Sequence, residues 1–463
     1  MRIHLSFLGC RLNEAELERW RREFLRRGHH IAAAPEDADV CILNTCAVTG
    51  EAGRQSRQAA RRLHRRNPRA HIVFAGCDAT MEPERAQAIS GVDLVIGNRD
   101  KDALVDRVID AFADRVTTPA LATEGDSRYL FVPARTRAFI KVQDGCNNHC
   151  TFCIVSTLRG EERSRPIAEV VQEIRQLTSM GYREVILTGV HLGGYGHDRN
   201  TDLMQLVATI LAETDIERLR LSSLEPWDIP YRFFDLWRQS GGRLMPHLHL
   251  PLQSGSDSVL RRMARRYTTA QYARLVDEAR RRIPDVMITT DVIVGFPGET
   301  DEEFSASLAF VRQMNFAHIH IFTYSPREGT AATRLPGHLP TAVKKARSRA
   351  MHQVMQESKM AHLDRLVGQV RSVLWEEARE EDPAQGTRTW SGLTDNYIRV
   401  HARVPADVDL HNAIVPTRLI AADEEGFMHG EPLLEQASWP KRELSQPLEL
   451  AEMMALLTTE IAQ

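Results

Sequence analysis

The 463-residue sequence has no run of about 18 apolar residues able to span a bilayer. Its opening stretch, Met1 to Gly9, is also too short for an export signal and lacks the flanks of one. An excess of either charge is lacking: 59 Lys and Arg against 62 Asp and Glu give a formal net charge of −3, so overall charge points neither toward nor away from nucleic acid, and arginine has to be read locally. Cysteine is sparse and odd in number, seven in all, which excludes a fully paired disulfide framework. The expectation is a cytoplasmic chain, with no membrane association, whose thiols stay reduced and available as metal ligands. Hydrophobic residues at 43% and charged residues at 26% are ordinary for a globular protein, and the length suggests about three domains.

Three of those cysteines lie in Gly145-Cys146-Asn147-Asn148-His149-Cys150-Thr151-Phe152-Cys153. Thiolates at this spacing can curl around one iron–sulfur cube and hold three of its irons, leaving the fourth open to a small molecule's amino and carboxylate groups. Structural zinc fits less well, since it usually takes four protein ligands and no further Cys or His lies at ribbon spacing. A buried apolar strand would not carry Gly, Asn and His among its cysteines.

Upstream, over residues 1–115, strand-like and helix-like runs alternate: Ile3 to Leu8, Glu14 to Arg27, Val40 to Asn44, Glu51 to Arg66, Ile72 to Ala75 and Leu94 to Ile96. This pattern predicts a small parallel α/β sheet. Cys10, Cys46 and Cys77 each follow a strand, where ligands collect in such sheets, whereas Cys41 lies inside the apolar run Val40 to Leu43 and reads as structural. Two arginine-rich helix candidates, one with Arg21, Arg22, Arg26 and Arg27 and one running from Arg54 to Arg69, are either phosphate contacts or solvated faces.

Taken with Gly9-Cys10-Arg11-Leu12-Asn13, Asn44-Thr45-Cys46-Ala47-Val48-Thr49 and Gly76-Cys77, the Cys146 segment resembles the radical S-adenosylmethionine (SAM) methylthiotransferase family. The resemblance implies two [4Fe-4S] clusters, an auxiliary one on Cys10, Cys46 and Cys77 and a SAM-binding one on Cys146, Cys150 and Cys153. It also implies that Phe152, and the turn holding Gly295 and Pro297, lie near the adenine of SAM. Where relatives usually carry Ala-Gln one residue beyond the third cysteine, this chain has Asp78-Ala79-Thr80, and Ser156 stands where Pro is common.

After a linker expected at Thr117 to Asp126, residues 132–363 show six strand candidates separated by helix-length segments: Ala138 to Val142, Glu184 to Thr188, Arg218 to Ser222, His247 to Leu252, Met287 to Val294 and His318 to Tyr324. An open (β/α)6 barrel follows, with the cysteine loop after its first strand. Glu225 and Gln253, just beyond the third and fourth strands, are candidate contacts to SAM or substrate. His247 with His249 and His318 with His320 alternate at period two, which suits a polar lumen; no carboxylate nearby in sequence completes a metal set. Residues 366–437 carry short strands expected to form a small OB-like β-barrel, and Gly392 to Tyr397 resembles the TRAM domain, whose implied task is RNA grip. In the tail, 438–463, Leu450, Met454, Leu457 and Ile461 fall at helical spacing.

The function implied is transfer of a methylthio group to C2 of N6-threonylcarbamoyladenosine beside the anticodon of tRNA. Its partners would be tRNA, an electron donor of flavodoxin or ferredoxin type and a sulfur donor the sequence does not specify. Three other readings stay open: the branch acting on isopentenyladenosine, methylthiolation of a ribosomal-protein aspartate, and a noncatalytic iron–sulfur RNA-binding regulator.

Overall fold

The computed structural model describes residues 1–113 and 136–439. The expected linker at Thr117 to Asp126, the tail helix and all but the first two residues of 438–463 lie outside them. The first unit contains strands β1 (Arg2–Phe7), β2 (His30–Ile31), β3 (Val40–Thr45), β4 (His71–Gly76) and β5 (Val92–Ile96). They form one parallel sheet in the order β2-β1-β3-β4-β5. The central strand β3 is buried at all six positions, because helices cover both faces of a parallel sheet, and this explains its unbroken apolar reading.

The second unit contains β6 (Arg137–Lys141), the short antiparallel pair β7 (Gln143–Asp144) and β8 (Arg163–Ser164), β9 (Glu184–Thr188), β10 (Arg218–Leu221), β11 (His247–His249), β12 (Met287–Val294) and β13 (His318–Thr323). Two parallel sheets, β10-β9-β6 and β11-β12-β13, meet edge to edge through bridges at Leu219–Leu244 and Ser223–His249. The result is a partial six-stranded barrel with strands in chain order. Among the described residues no helix is long and apolar enough to cross a membrane.

Helix Thr341–Leu366 then leads into β14 (Val370–Asp382), β15 (Thr387–Thr394), β16 (Arg399–Pro405), β17 (Ile414–Ala422) and β18 (Met428–Pro432), which close into a barrel in the order β14-β15-β16-β18-β17. Tyr397 lies in the turn before β16 rather than in a strand, with a positive φ of 76°. The barrel's tryptophans, Trp375 and Trp390, are interior, so they form no outward platform for stacking bases.

The small barrel docks on the large one through buried arginines. Arg218 donates to the Ser372 and Leu393 carbonyls at 2.7 and 3.2 Å, and Arg220 to the Asp395 and Thr394 carbonyls at 3.0 and 3.4 Å. Their counter-charge is Glu184, fully buried, with Arg220 Nε at 3.0 Å, Arg218 at 3.6 Å and Arg137 at 3.9 Å. Burial pushes the Glu184 carboxyl up, but Arg220, Arg137 and Arg218 outweigh it and hold the pKa at about 2. Glu184→Gln is therefore expected to cost about 3–5 kcal/mol at neutral pH, by stranding buried guanidinium charge. A carboxylate depressed from 4.5 to about 2 contributes fully above the higher value and loses its contribution as pH falls toward the lower one. The gap in thermal midpoint between wild type and the variant should close over that window; a gap independent of pH would contradict this account.

Candidate active site

The segments leaving the carboxyl ends of β1, β3 and β4 carry Cys10, Cys46 and Cys77, the last as the first residue of helix Cys77–Met81. Side chains from the same sequence segments tie them together. Asn13 Nδ2 donates to the Leu8 carbonyl at 2.7 Å and the Thr45 carbonyl at 3.0 Å, joining the first loop to the second. Thr45 Oγ1 donates to the Ala75 carbonyl at 2.6 Å and accepts from Asp78 N at 3.1 Å, joining the second to the third. Gly9 has φ of 99°, and a Cβ there would stand 2.6 Å from Cys46 Cβ and 2.7 Å from its Sγ, so the first loop reaches the second only with glycine at this position. Asn98 Nδ2 lies 3.5 Å from Cys77 Sγ as a donor. Asp78, part of the unusual Asp-Ala-Thr stretch, takes Arg57 Nη1 at 2.8 Å. Cys41 is fully buried inside β3, and burial raises its thiol to about 12.

The second triad sits in the loop between β7 and β8. Gly145 has φ of 76°, and any Cβ would fall 1.9 Å from the Glu161 carbonyl oxygen. Each sulfur of this triad has a donor: Asn148 N at 3.4 Å from Cys146, Arg265 Nη1 at 3.5 Å from Cys150, and Val155 N at 3.4 Å from Cys153. Burial drives the Cys146 thiol up to about 11 and Cys153 to about 12, and Cys46 of the first triad to about 11. Ionised sulfur at these depths needs a bound cation beside it.

Neither triad is packed for a single ion. Sulfurs around one zinc would sit roughly 3.8 Å apart, the tetrahedral edge for bonds of about 2.3 Å. Among the described residues, the groups whose ligand atoms all fall within 4.8 Å of one another are Cys146–Glu162–His191 and His249–Asp291–His320, so neither triad is one of them. The donor set therefore fits a cluster with one iron left without a protein ligand. In the first of those groups His191 has both ring nitrogens engaged, Nδ1 with Glu162 at 2.6 Å and Nε2 with Asp228 at 2.5 Å. Burial lowers its pKa, but Asp228 and then Glu162 more than reverse this, to about 9, so it is a charged brace under the cysteine loop.

The remaining residues singled out from sequence fall around this triad. Phe152 packs on Val259, Met263 and Phe296, which seats the cysteine loop against the turn holding Gly295 and Pro297. Gly295 N donates to Glu299 Oε2 at 2.7 Å, and both Gly295 and Pro297 are buried. Glu225 is bound by Arg265, the residue that also donates to Cys150. Gln253 stands at φ of 67°, bridged to Val292 by backbone. Sequence reasoning passed over Glu162 and Asp228, whose only signal is three-dimensional adjacency to the loop; Arg265, in the run Arg261 to Arg266 that reads as an exposed helix face, is instead buried.

One short helix separates the triads. Val155–Arg159 begins two residues after Cys153, and its flank packs on the other triad: Ile154 and Leu158 share an apolar cluster with Cys77 and Ala47. Asn98 donates to both Cys77 Sγ and the Leu158 carbonyl. Val155 and Arg159 line, with Cys10, Cys46 and Cys77, a cavity of about 610 Å³ that runs past His249 and His320 to Tyr397.

A partial parallel barrel carrying Cys-X3-Cys-X2-Cys after its first strand defines the class of radical SAM proteins. The Radical SAM superfamily profile matches residues 140–311, and the profile described as "Uncharacterized protein family UPF0004" matches residues 2–97. The threonylcarbamoyladenosine tRNA methylthiotransferase MtaB of Bacillus subtilis is 35% identical over 92% of this chain and 94% of its own length. The protein of the same name from Thermotoga maritima is 35% identical over 81% and 86%. The tRNA-2-methylthio-N(6)-dimethylallyladenosine synthase of Geobacillus thermodenitrificans is 34% identical over 82% and 75%. Among solved structures, the radical SAM methyltransferase TsrM of Kitasatospora setae aligns with a TM-score of 0.51 at 15% identity, covering 82% of this chain and 79% of that one, a likeness of fold alone. The chain belongs to the radical SAM methylthiotransferase family.

Gly9→Ala keeps all seven cysteines and is expected to cost the first triad its metal, because the new methyl occupies the space beside Cys46. Iron in reconstituted protein should fall from about eight to about four per chain. Unchanged iron would show that the three loops do not have to approach this closely.

Proposed function

We propose that this protein transfers a methylthio group to C2 of N6-threonylcarbamoyladenosine beside the anticodon of tRNA, using two [4Fe-4S] clusters and SAM. The observation that carries the reading is the pair of cysteine triads on either side of helix Val155–Arg159, with the first of them opening into the large cavity. When bound, the clusters and SAM supply the electron, the radical and the sulfur that a non-acidic C–H bond requires.

The chain's own residues bind and orient. Cys146, Cys150 and Cys153 hold one cluster; Asn148 N, Val155 N and Arg265 donate to their sulfurs. Cys10, Cys46 and Cys77 hold the other at the cavity wall. Phe152 and the Gly295–Pro297 turn form the seat for the adenine of SAM, and Glu225 and Gln253 flank its mouth. Arg11 and Lys359 line the cavity, where their charges suit the threonyl carboxylate.

For the body of the tRNA, helix Gly50–Arg66 and the turn after it present Arg61, Arg62, Arg65 and Arg69, exposed and without an ion-pair partner among the described residues. On the earlier helix the arginines are spent on Glu18, Glu173, Glu23 and Asp106. Phosphate contact therefore falls to the second run. A cytoplasmic location, a TRAM-type role for the small barrel and an electron donor of flavodoxin or ferredoxin type complete the proposal.

The test is mass spectrometry of tRNA nucleosides from a deletion strain. 2-Methylthio-N6-threonylcarbamoyladenosine should vanish, return with wild type and stay absent with Cys46→Ala. Loss of the isopentenyl product instead would move the protein to the sister branch, and unchanged tRNA would overturn the reading.

A further inference from the structure

The lumen of the partial barrel carries a second set of metal-ligating side chains, separate from both cysteine triads. His249 ends β11, Asp291 lies in β12 and His320 in β13; Asp291 and His320 are direct register partners across the two strands. The carboxylate that sequence could not supply locally is thus brought in by an adjacent strand. One ligand atom from each of the three falls within 4.8 Å of the others, and His249 Nε2 is 3.2 Å from Asp291 Oδ1. Adjacent ligands on an octahedral ion with bonds of about 2.1 Å are roughly 3.0 Å apart.

The arrangement is prepared for a cation in three further respects. Thr289 Oγ1 lies 2.9 Å from His249 Nδ1, so in the tautomer with the proton on Nδ1 that nitrogen donates to Thr289 and Nε2 keeps its lone pair toward Asp291. Asp291, half-buried, has no Lys or Arg partner among the described residues; its ion-pair contact is His249. A half-buried carboxylate facing two imidazoles, with no Lys or Arg beside it among the described residues, is a set of donors that a cation would complete. His249 and His320 line the large cavity, which leaves room on that side for water or a substrate oxygen as the remaining ligands.

We propose that His249, Asp291 and His320 bind one divalent first-row transition metal ion in the barrel lumen, facing the substrate cavity. Two imidazoles and one carboxylate with open positions is a donor set used by zinc, iron(II) and manganese. The ion presents an electropositive point to whatever oxygen-bearing group enters the cavity.

The test counts metal, not turnover. Holoenzyme with its iron and sulfide quantified is equilibrated anaerobically with zinc(II), desalted and analysed for both metals. Wild type should retain about one zinc per chain that Asp291→Asn and His320→Gln each lose, with iron unchanged in all three. His318→Ala, altered on the same strand but outside the set, should retain the zinc. Equal zinc in wild type and both variants, or zinc that appears only as iron is lost, would overturn the site.

Discussion

The relation between the two cysteine triads depends on one buried carboxylate. Glu16, on the helix Arg11–Arg26 that follows Cys10 directly, receives Lys101 Nζ at 2.5 Å from its own unit. From the barrel it receives Arg159 Nη1 at 3.0 Å and Lys141 Nζ at 3.4 Å. Arg159 in turn reaches Asp144 at 3.0 Å and Asn13 Oδ1 at 3.0 Å. Burial works against the Glu16 charge, but Arg159, Lys101 and Lys141 hold its pKa well below the ordinary range. Such a network is costly to open, because every member left behind would be a desolvated charge. It therefore fixes the rotation of the first sheet on the barrel, and with it the direction in which Cys10, Cys46 and Cys77 face.

Around that anchor the site is assembled from short-range constraints. Asn13 and Thr45 lash three loops distant in sequence into one rim, while Gly9 and Gly145 let backbone approach where a side chain would collide. The donors to Cys146, Cys150, Cys153 and Cys77 are fixed by loop geometry or by Asn98 and Arg265. His191, clamped between Glu162 and Asp228, and Asn148 beside it brace the same loop from below.

The small barrel contributes to the cavity as well as to the outer surface. Tyr397, in the segment that resembles the TRAM domain, stacks on His247 with ring centroids 4.5 Å apart, lies under the Arg220 guanidinium at 4.7 Å and accepts from Arg11 Nη2 at 3.3 Å. Its positive φ is tolerated because Arg220 holds the carbonyls of the same turn. Residues from the first sheet, the partial barrel and the closed barrel thus border one volume, so rotating any one unit would change the shape offered to a nucleoside.

The sequence by itself determined the elements and marked the candidate ligands. Strand and helix periodicity marked the parallel sheet and the six barrel strands, and the spacing of Cys146, Cys150 and Cys153 named the chemistry, because a covalent chain of that length can wrap only one metal centre. His30–Ile31 escaped it, being too short to show a repeat, and Met428–Pro432 did so because its Gly430 and Pro432 interrupt any strand pattern. Only the tertiary structure decided which groups meet. Glu16 with Arg159, Arg265 with Glu225 and Cys150, and Asp291 with His249 and His320 come from different elements, and pairing across elements is set by how faces pack, a property no local pattern of residues encodes.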